Sequence, residues 1–283
     1  MIFVVGATGF VGASTAAWLE GAGLEVFRVT RGHLSGQIPL PAAADSVVVN
    51  CAWAGVAGDK RDSRIQHANS VLTRQVVEVA NRVGAVRLVA FGSQAEYGPA
   101  NSAVDELAPL SPSTAYGRAK VAAFLALSSS CAVAGREFVW LRLFDVYGPG
   151  DGPEWFLPYV IRSALSDTSP RLTKCEQRWD YLYVDDVCRA VKSVIEAPAV
   201  ASGAYNLSSG VPVSLKDVVA NVFETVAPPR ARPIFGAVPY GVNQVMHLEG
   251  INERLSAATG WSATTGMREG IARTIEFERS KAK

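Results

Sequence analysis

Gly6-Ala7-Thr8-Gly9-Phe10-Val11-Gly12 is the stretch on which the reading of this chain turns. It follows an apolar run, Ile2-Phe3-Val4-Val5, and opens a stretch with helical character from Phe10 to Leu19. Strand, glycine turn and helix, in that order, match the pyrophosphate site of a dinucleotide-binding unit. Gly6 permits the tight turn, Gly9 lets the backbone approach phosphate oxygens, and Gly12 lets helix pack closely on strand. Thr8, Phe10 and Val11 lie between these glycines and are assigned to the same site. The helix N-terminus adds free N–H groups and partial positive charge.

Further short apolar runs lie at Glu25–Val29, Ser46–Asn50, Val86–Phe91 and Glu137–Leu143, with helical patterns at Ser63–Val83 and Ser113–Ala134. The runs show little polar alternation, as strands buried on both faces do. The expected fold is α/β: a Rossmann-type doubly wound parallel sheet. Prolines cluster at Pro149, Pro153, Pro158 and Pro170, and again at Pro228, Pro229, Pro233 and Pro239. Short helices are expected between them, at Ser214–Val226 and Met267–Phe277. This predicts a dinucleotide-binding domain over 1–150 and a smaller substrate lobe mainly over 151–283. The lobe is interleaved with the sheet, to which 180–210 return.

The second strand ends Val29-Thr30-Arg31-Gly32, with no acid to bond an adenosine 2′-hydroxyl. Arg31, with Arg28 nearby, tolerates a 2′-phosphate instead. The residues therefore favour NADP(H), with NAD(H) as the alternative. Between Arg31 and Ser46 lie Pro39 and Pro41, which break helix and strand alike. That segment has room for one short crossover, so one flank of the sheet is expected to be cut down.

Lys and Arg number 27 against 26 Asp and Glu, a balance that argues against a nucleic-acid binder relying on bulk positive charge. Cys51, Cys131, Cys175 and Cys188 form no CxxC pair, and His33, His67 and His247 have no metal-ligand spacing, so no metal is expected. No signal peptide or apolar span is visible, so the cytoplasm is the expected location and no membrane is expected as a partner.

Tyr116-Gly117-Arg118-Ala119-Lys120 places Tyr116 and Lys120 on one helix face, a turn apart. A free phenol has a pKa of about 10, and a nearby ammonium would lower it. Ser93 stands just past the end of the fourth predicted strand. Ligands of open α/β sheets bind beyond the carboxyl ends of strands. Ser93, Tyr116 and the glycine loop should therefore share one crevice.

With these motifs the chain resembles the extended short-chain dehydrogenase/reductases, or NAD-dependent epimerase/dehydratase family. The likeness runs on through Leu141-Arg142-Leu143-Phe144-Asp145-Val146-Tyr147-Gly148-Pro149, Asp180-Tyr181-Leu182-Tyr183-Val184-Asp185-Asp186, Tyr205-Asn206-Leu207-Ser208-Ser209-Gly210 and Gly260-Trp261. It implies a nucleotide-sugar substrate, a homodimer, and Ser93, Tyr116 and Lys120 as catalytic residues. Tyr116 and Lys120 would also touch the cofactor, as would Ala52 and Trp53 after the third strand. Sugar dehydratases of the family carry an acidic pair after the Ser/Thr. Here Gln94 and Ala95 stand there, with Glu96 one position off, which argues against dehydration. NADPH-dependent 4-keto-sugar reduction is the leading expectation and NAD-dependent 4-epimerisation the alternative. A non-catalytic cofactor sensor would have no use for Ser93, Tyr116 and Lys120. Cys51-Ala52-Trp53-Ala54-Gly55 and Gln177-Arg178-Trp179-Asp180-Tyr181 are also similar to reductases that make dideoxysugars on CDP.

Ser93, Gln94, Asp145, Arg178 and Trp179 are the expected substrate contacts. Two of them depart from the family. Asp145 stands where relatives have Asn, and an ionised Asp cannot donate a hydrogen bond. Trp179 stands where they have Arg, with Arg178 as its expected stand-in. Asn69 is expected to make a helix-packing hydrogen bond or, as its match to the family implies, to take part in catalysis; His67 is expected to lie on a helix surface and Asp185-Asp186 to cap a helix.

Overall fold

The computed structural model describes residues 1–241 and 244–281. Six strands form the main sheet: β1 (Ile2–Val5), β2 (Val26–Val29), β3 (Val47–Asn50), β4 (Arg87–Ser93), β6 (Glu137–Leu143) and β10 (Gly203–Leu207). Their spatial order is β10-β6-β4-β3-β1-β2, and every pair is parallel. Their near-continuous Val, Ile, Leu and Phe are buried because helices cover both faces. Helices α1 (Phe10–Gly21) and α6 (Val184–Glu196) pack on one face around Leu19, Val187 and Val191. Helices α3 (Ala68–Arg82) and α4 (Ala115–Val133) pack on the other around Val76, Leu127 and Trp140. Buried Arg87 holds the end of α6 by donating to the carbonyls of Ile195 and Ala197, each at 3.0 Å. This is the doubly wound α/β fold that the hydrophobic pattern implies.

The chain leaves β2 through a single helical turn, α2 (Arg31–Leu34), closed by a capping box between Thr30 and His33. Among the described residues no strand or longer helix lies between Arg31 and Val47, and β2 is the sheet edge. Pro39 and Pro41 fall in this connection, and the cut-down flank expected from them is present.

A second body carries α5 (Phe156–Leu165), α7 (Leu215–Val226) and α9 (Met267–Lys281), packed around Val160, Val219 and Ile271. Small sheets join it to the first. Strand β7 (Asp145–Tyr147) pairs with β9 (Tyr181–Tyr183), while β8 (Arg178–Trp179) lies between β11 (Val213–Ser214) and β12 (His247–Gly250), with β5 (Ala103–Val104) beyond β12. Helix α8 (Glu253–Thr259) returns to the main sheet, where Leu255 and Trp261 join its core. Asp180 ties these parts together: it accepts from the backbone N–H of Ser209 (2.7 Å), Gly210 (2.9 Å) and Gly250 (3.2 Å).

Asp185 and Asp186 do not cap the next helix. They lie in the first turn of α6, whose cap is Tyr183. From there Asp186 reaches across to accept from the N–H groups of Thr264 (2.8 Å) and Thr265 (3.1 Å), fixing the approach to α9.

Candidate active site

The carboxyl ends of β1, β3, β4 and β6 open into one crevice. Gly9 has no side chain with which to cap α1, so the first N–H groups of the helix stay free toward it. A Cβ at Gly6, where φ is +80°, would fall 2.6 Å from the Ala52 backbone N. Only glycine fits there. Over Gly9 the space is open, with nothing nearer a Cβ than the Gly6 carbonyl at 3.7 Å. A dinucleotide pyrophosphate fits this loop by approach from the open side. Gly9, Phe10, Val11, Gly12 and Trp53 line a cavity of about 490 Å³ that reaches Ser93 and Tyr116. Gly6 and Ala52 lie back to back behind it, and Thr8 is exposed on the rim.

Ser93 and Tyr116 are brought together by close packing of α4 on the turn Gln94–Glu96. The Thr114 hydroxyl accepts from Gly117 N at 3.1 Å and starts α4. A Cβ at Gly117 would stand 2.5 Å from the Ala95 carbonyl, so only glycine allows the approach. Ser93 Oγ accepts from Ala95 N at 3.2 Å, which leaves its own hydrogen free to donate. Glu96 is fully buried and points away from the crevice. Its carboxylate accepts from Ser93 N (2.8 Å), Trp140 Nε1 (3.0 Å) and Arg142 Nε (2.9 Å). With both oxygens engaged, it holds the Ser93 strand end and has no free face for acid–base work.

Lys120 departs from expectation. Its ammonium donates to the Phe91 carbonyl at 2.7 Å and lies 3.8 Å over the Trp53 ring. From the Tyr116 ring it is 5.7 Å away. Burial pushes the Lys120 amine down to about 7. Burial also pushes the Tyr116 phenol up, with the Ser93 hydroxyl and then the Arg61 charge acting the other way. The cation stacked on Tyr116 is Arg61, 4.5 Å from the ring centroid. Trp53 meets the same ring edge-on, with centroids 6.1 Å apart.

A second cavity, of about 450 Å³, adjoins the first and shares Arg61, Gln94, Asp145, Val146, Asp151 and Trp155 with it. Trp179 and Tyr181 line its far wall. Arg178 does not. Successive residues of β8 face opposite ways, so while Trp179 faces the cavity, exposed Arg178 donates to the Pro212 carbonyl at 2.8 Å. Burial pushes the carboxyls of Asp145 and Asp151 up to about 7 each. The Arg61 charge acts the other way on Asp145, and a protonated Asp145 can donate a hydrogen bond as Asn would.

At the adenosine end, Arg31 is exposed at the start of α2. Arg28 is not free to join it: both its donors go to Glu20, at 3.0 and 2.7 Å. Asn69 makes the packing bonds expected of it, accepting from Ala54 N (2.9 Å) and donating to Ala54 O (3.1 Å). His67 is exposed. Sequence reading missed Arg61, Asp151 and Trp155. Arg61 stands in Asp59-Lys60-Arg61-Asp62, which reads as a solvated loop, and nothing local marks it. Among the described residues no helix is long and apolar enough to cross a membrane.

The model of the NAD-dependent epimerase/dehydratase family matches residues 2–208. CDP-abequose synthase of Salmonella typhimurium is 33% identical over 146 residues, 50% of this chain and 48% of that protein. The chain thus spans about half the length of this relative. UDP-glucose 4-epimerase of Mycolicibacterium smegmatis is 28% identical over 222 residues, 76% of this chain and 69% of that protein. Among solved structures, MoeE5 in complex with UDP-glucose and NAD superposes with a TM-score of 0.84 at 25% identity, covering 100% of this chain and 99% of that one. The chain belongs to the NAD-dependent epimerase/dehydratase family, whose members here are enzymes acting on nucleotide-linked sugars.

Proposed function

We propose that this chain is an NADPH-dependent reductase of a 4-keto sugar carried on a nucleotide. The observation that carries the reading is the make-up of the crevice around Ser93 and Tyr116. It holds a proton donor and a hydrogen-bond donor for one oxygen, while Gln94 and Ala95, directly after Ser93, supply no acid–base pair for elimination. Ala95 offers no acid, and both oxygens of Glu96 are engaged in the fold.

A nicotinamide cofactor held by the glycine loop would supply hydride to the carbonyl carbon. Ser93 donates a hydrogen bond to the carbonyl oxygen, and Tyr116 gives that oxygen its phenolic proton. Burial keeps the phenol protonated, which suits a proton donor in the reductive direction. Lys120 spends one of its N–H groups on Phe91 and keeps the others for the cofactor ribose. Trp53 and Trp155 line the cavity beside this pair.

Epimerisation at the same carbon would use the same residues with a cofactor that stays bound. The open flank beyond β2 favours a cofactor that exchanges, and exposed Arg31 favours the 2′-phosphate of NADPH. The test is to mix the purified protein with 4-keto sugars linked to uridine, thymidine or cytidine diphosphate and with NADPH or NADH. Loss of nicotinamide absorbance, matched by alcohol formed, supports reduction. Epimer formation with no net change in absorbance would replace it by the epimerase reading.

A further inference from the structure

Arg61 lies on a 3₁₀ turn, Gly58–Asp62, that is fixed at both ends. Asp62 Oδ1 accepts from Ala115 N at 2.7 Å, pinning the turn to the start of α4. Gln66, buried beneath it, donates to the carbonyls of Gly55 (2.7 Å) and Lys60 (2.9 Å) and accepts from Trp53 Nε1 (3.2 Å). The guanidinium held by this scaffold stacks on Tyr116 and lines both cavities. Among the described residues it has neither an ion pair nor a hydrogen bond, so its five N–H donors are uncommitted.

We infer that Arg61 binds the diphosphate of the nucleotide-linked substrate. The inference rests on the function proposed above and names the residue that recognises that substrate's charge. Among the described residues, a diphosphate entering the second cavity meets no other Lys or Arg in its wall. Trp179 is uncharged there, and Arg178 faces away. Lys60 lines only the first cavity and is exposed. The cofactor's own pyrophosphate already has the glycine loop and the free N–H groups of α1. A planar guanidinium takes a phosphate through two parallel hydrogen bonds, and stacking on Tyr116 presets its plane. Asp145 and Asp151, partly protonated near neutrality, can donate to the same anion rather than repel it.

The test is calorimetric and needs no turnover. NADPH-loaded enzyme, unsubstituted or carrying Arg61→Lys or Arg61→Gln, is titrated with uridine, thymidine and cytidine diphosphates and with the corresponding nucleosides. A charge-assisted bond lost from a binding site costs roughly ten- to hundredfold in affinity. Arg61→Gln should lose that much for the preferred diphosphate and Arg61→Lys less, while nucleoside and NADPH affinities stay unchanged. Equal diphosphate affinity in Arg61→Gln would overturn the inference. So would a parallel loss for diphosphate and nucleoside, which would mark a structural role, or a loss confined to NADPH. If the unsubstituted enzyme binds none of the three diphosphates, the nucleotide-linked reading fails first and the inference falls with it.

Discussion

The two cavities that meet at Tyr116 are built from different materials. The cofactor side is mostly backbone: a glycine turn, the first N–H groups of α1 and strand ends in fixed register. The substrate side is mostly side chains, with Trp155, Trp179 and Tyr181 around two carboxyls and one guanidinium. Peptide groups do not titrate, so the glycine loop should hold its phosphates evenly across pH. The second depends on groups whose charge changes near neutrality and on a single cation. On the proposed reading the glycine loop holds the cofactor by shape, and the second cavity holds the substrate by electrostatics that one substitution can alter.

The largest effect expected from breaking this arrangement is at the junction. Tyr116→Phe removes the proton donor and should cut turnover by about 10²–10⁴. NADPH affinity should hardly move, because the ring still fills its place. Stopped-flow turnover with fluorescence titration of the cofactor separates the two, and an active Tyr116→Phe enzyme would remove Tyr116 from its role.

Next comes the adenosine edge of the cofactor side. Arg31→Ala should weaken NADPH roughly ten- to hundredfold and leave NADH nearly unchanged. Equal dissociation constants for both cofactors in the unsubstituted enzyme would show that the edge does not read the 2′-phosphate.

A smaller effect should come from pH. Burial raises the Asp145 and Asp151 carboxyls to about 7, so they are mostly neutral below that value and mostly charged above it. Affinity for a nucleoside diphosphate should therefore fall as pH rises through about 7, by roughly tenfold for one carboxylate formed near the anion. Asp145→Asn should flatten part of this fall. A flat diphosphate profile in the unsubstituted enzyme would contradict the contrast between the cavities.

The smallest effect is expected at Arg28. Its pair with Glu20 is exposed, and exposed pairs contribute about 0–1 kcal/mol. Arg28→Ala should leave cofactor selectivity unchanged. A loss of NADPH preference there would place the 2′-phosphate on a residue that the structure engages elsewhere.

What could be read from the sequence follows the same division. The glycine loop is local, contiguous and bound to a strand-helix junction, so Gly6, Gly9 and Gly12 announce themselves. Parallel strands run on one face-buried pattern, which located β1, β3, β4 and β6 and set Ser93 at a strand end. Pro39 and Pro41 revealed the shortened flank. The substrate side is assembled from segments distant in the chain, and no local pattern unites Arg61, Asp151 and Trp155. A single residue of register in β8 decided between Arg178 and Trp179, and a pattern of residue types does not fix such a register. The surroundings that raise the Asp145 carboxyl, burial against the Arg61 charge, do not show in the residue types along the chain. Lys120 was placed on the right helix face, but its partner, the Phe91 carbonyl, belongs to a strand that only the folded chain brings near.

The central claim is that hydride moves from an exchangeable cofactor to a carbonyl carbon held by Ser93 and Tyr116. It is tested most directly with NADPH carrying deuterium at the transferring position of C4, supplied in excess with the preferred nucleotide-linked 4-keto sugar. Mass spectrometry of the product should show a single deuterium on the new alcohol carbon, with one oxidised cofactor released per alcohol formed. A product free of deuterium, or an epimer formed without oxidised cofactor in solution, would contradict it.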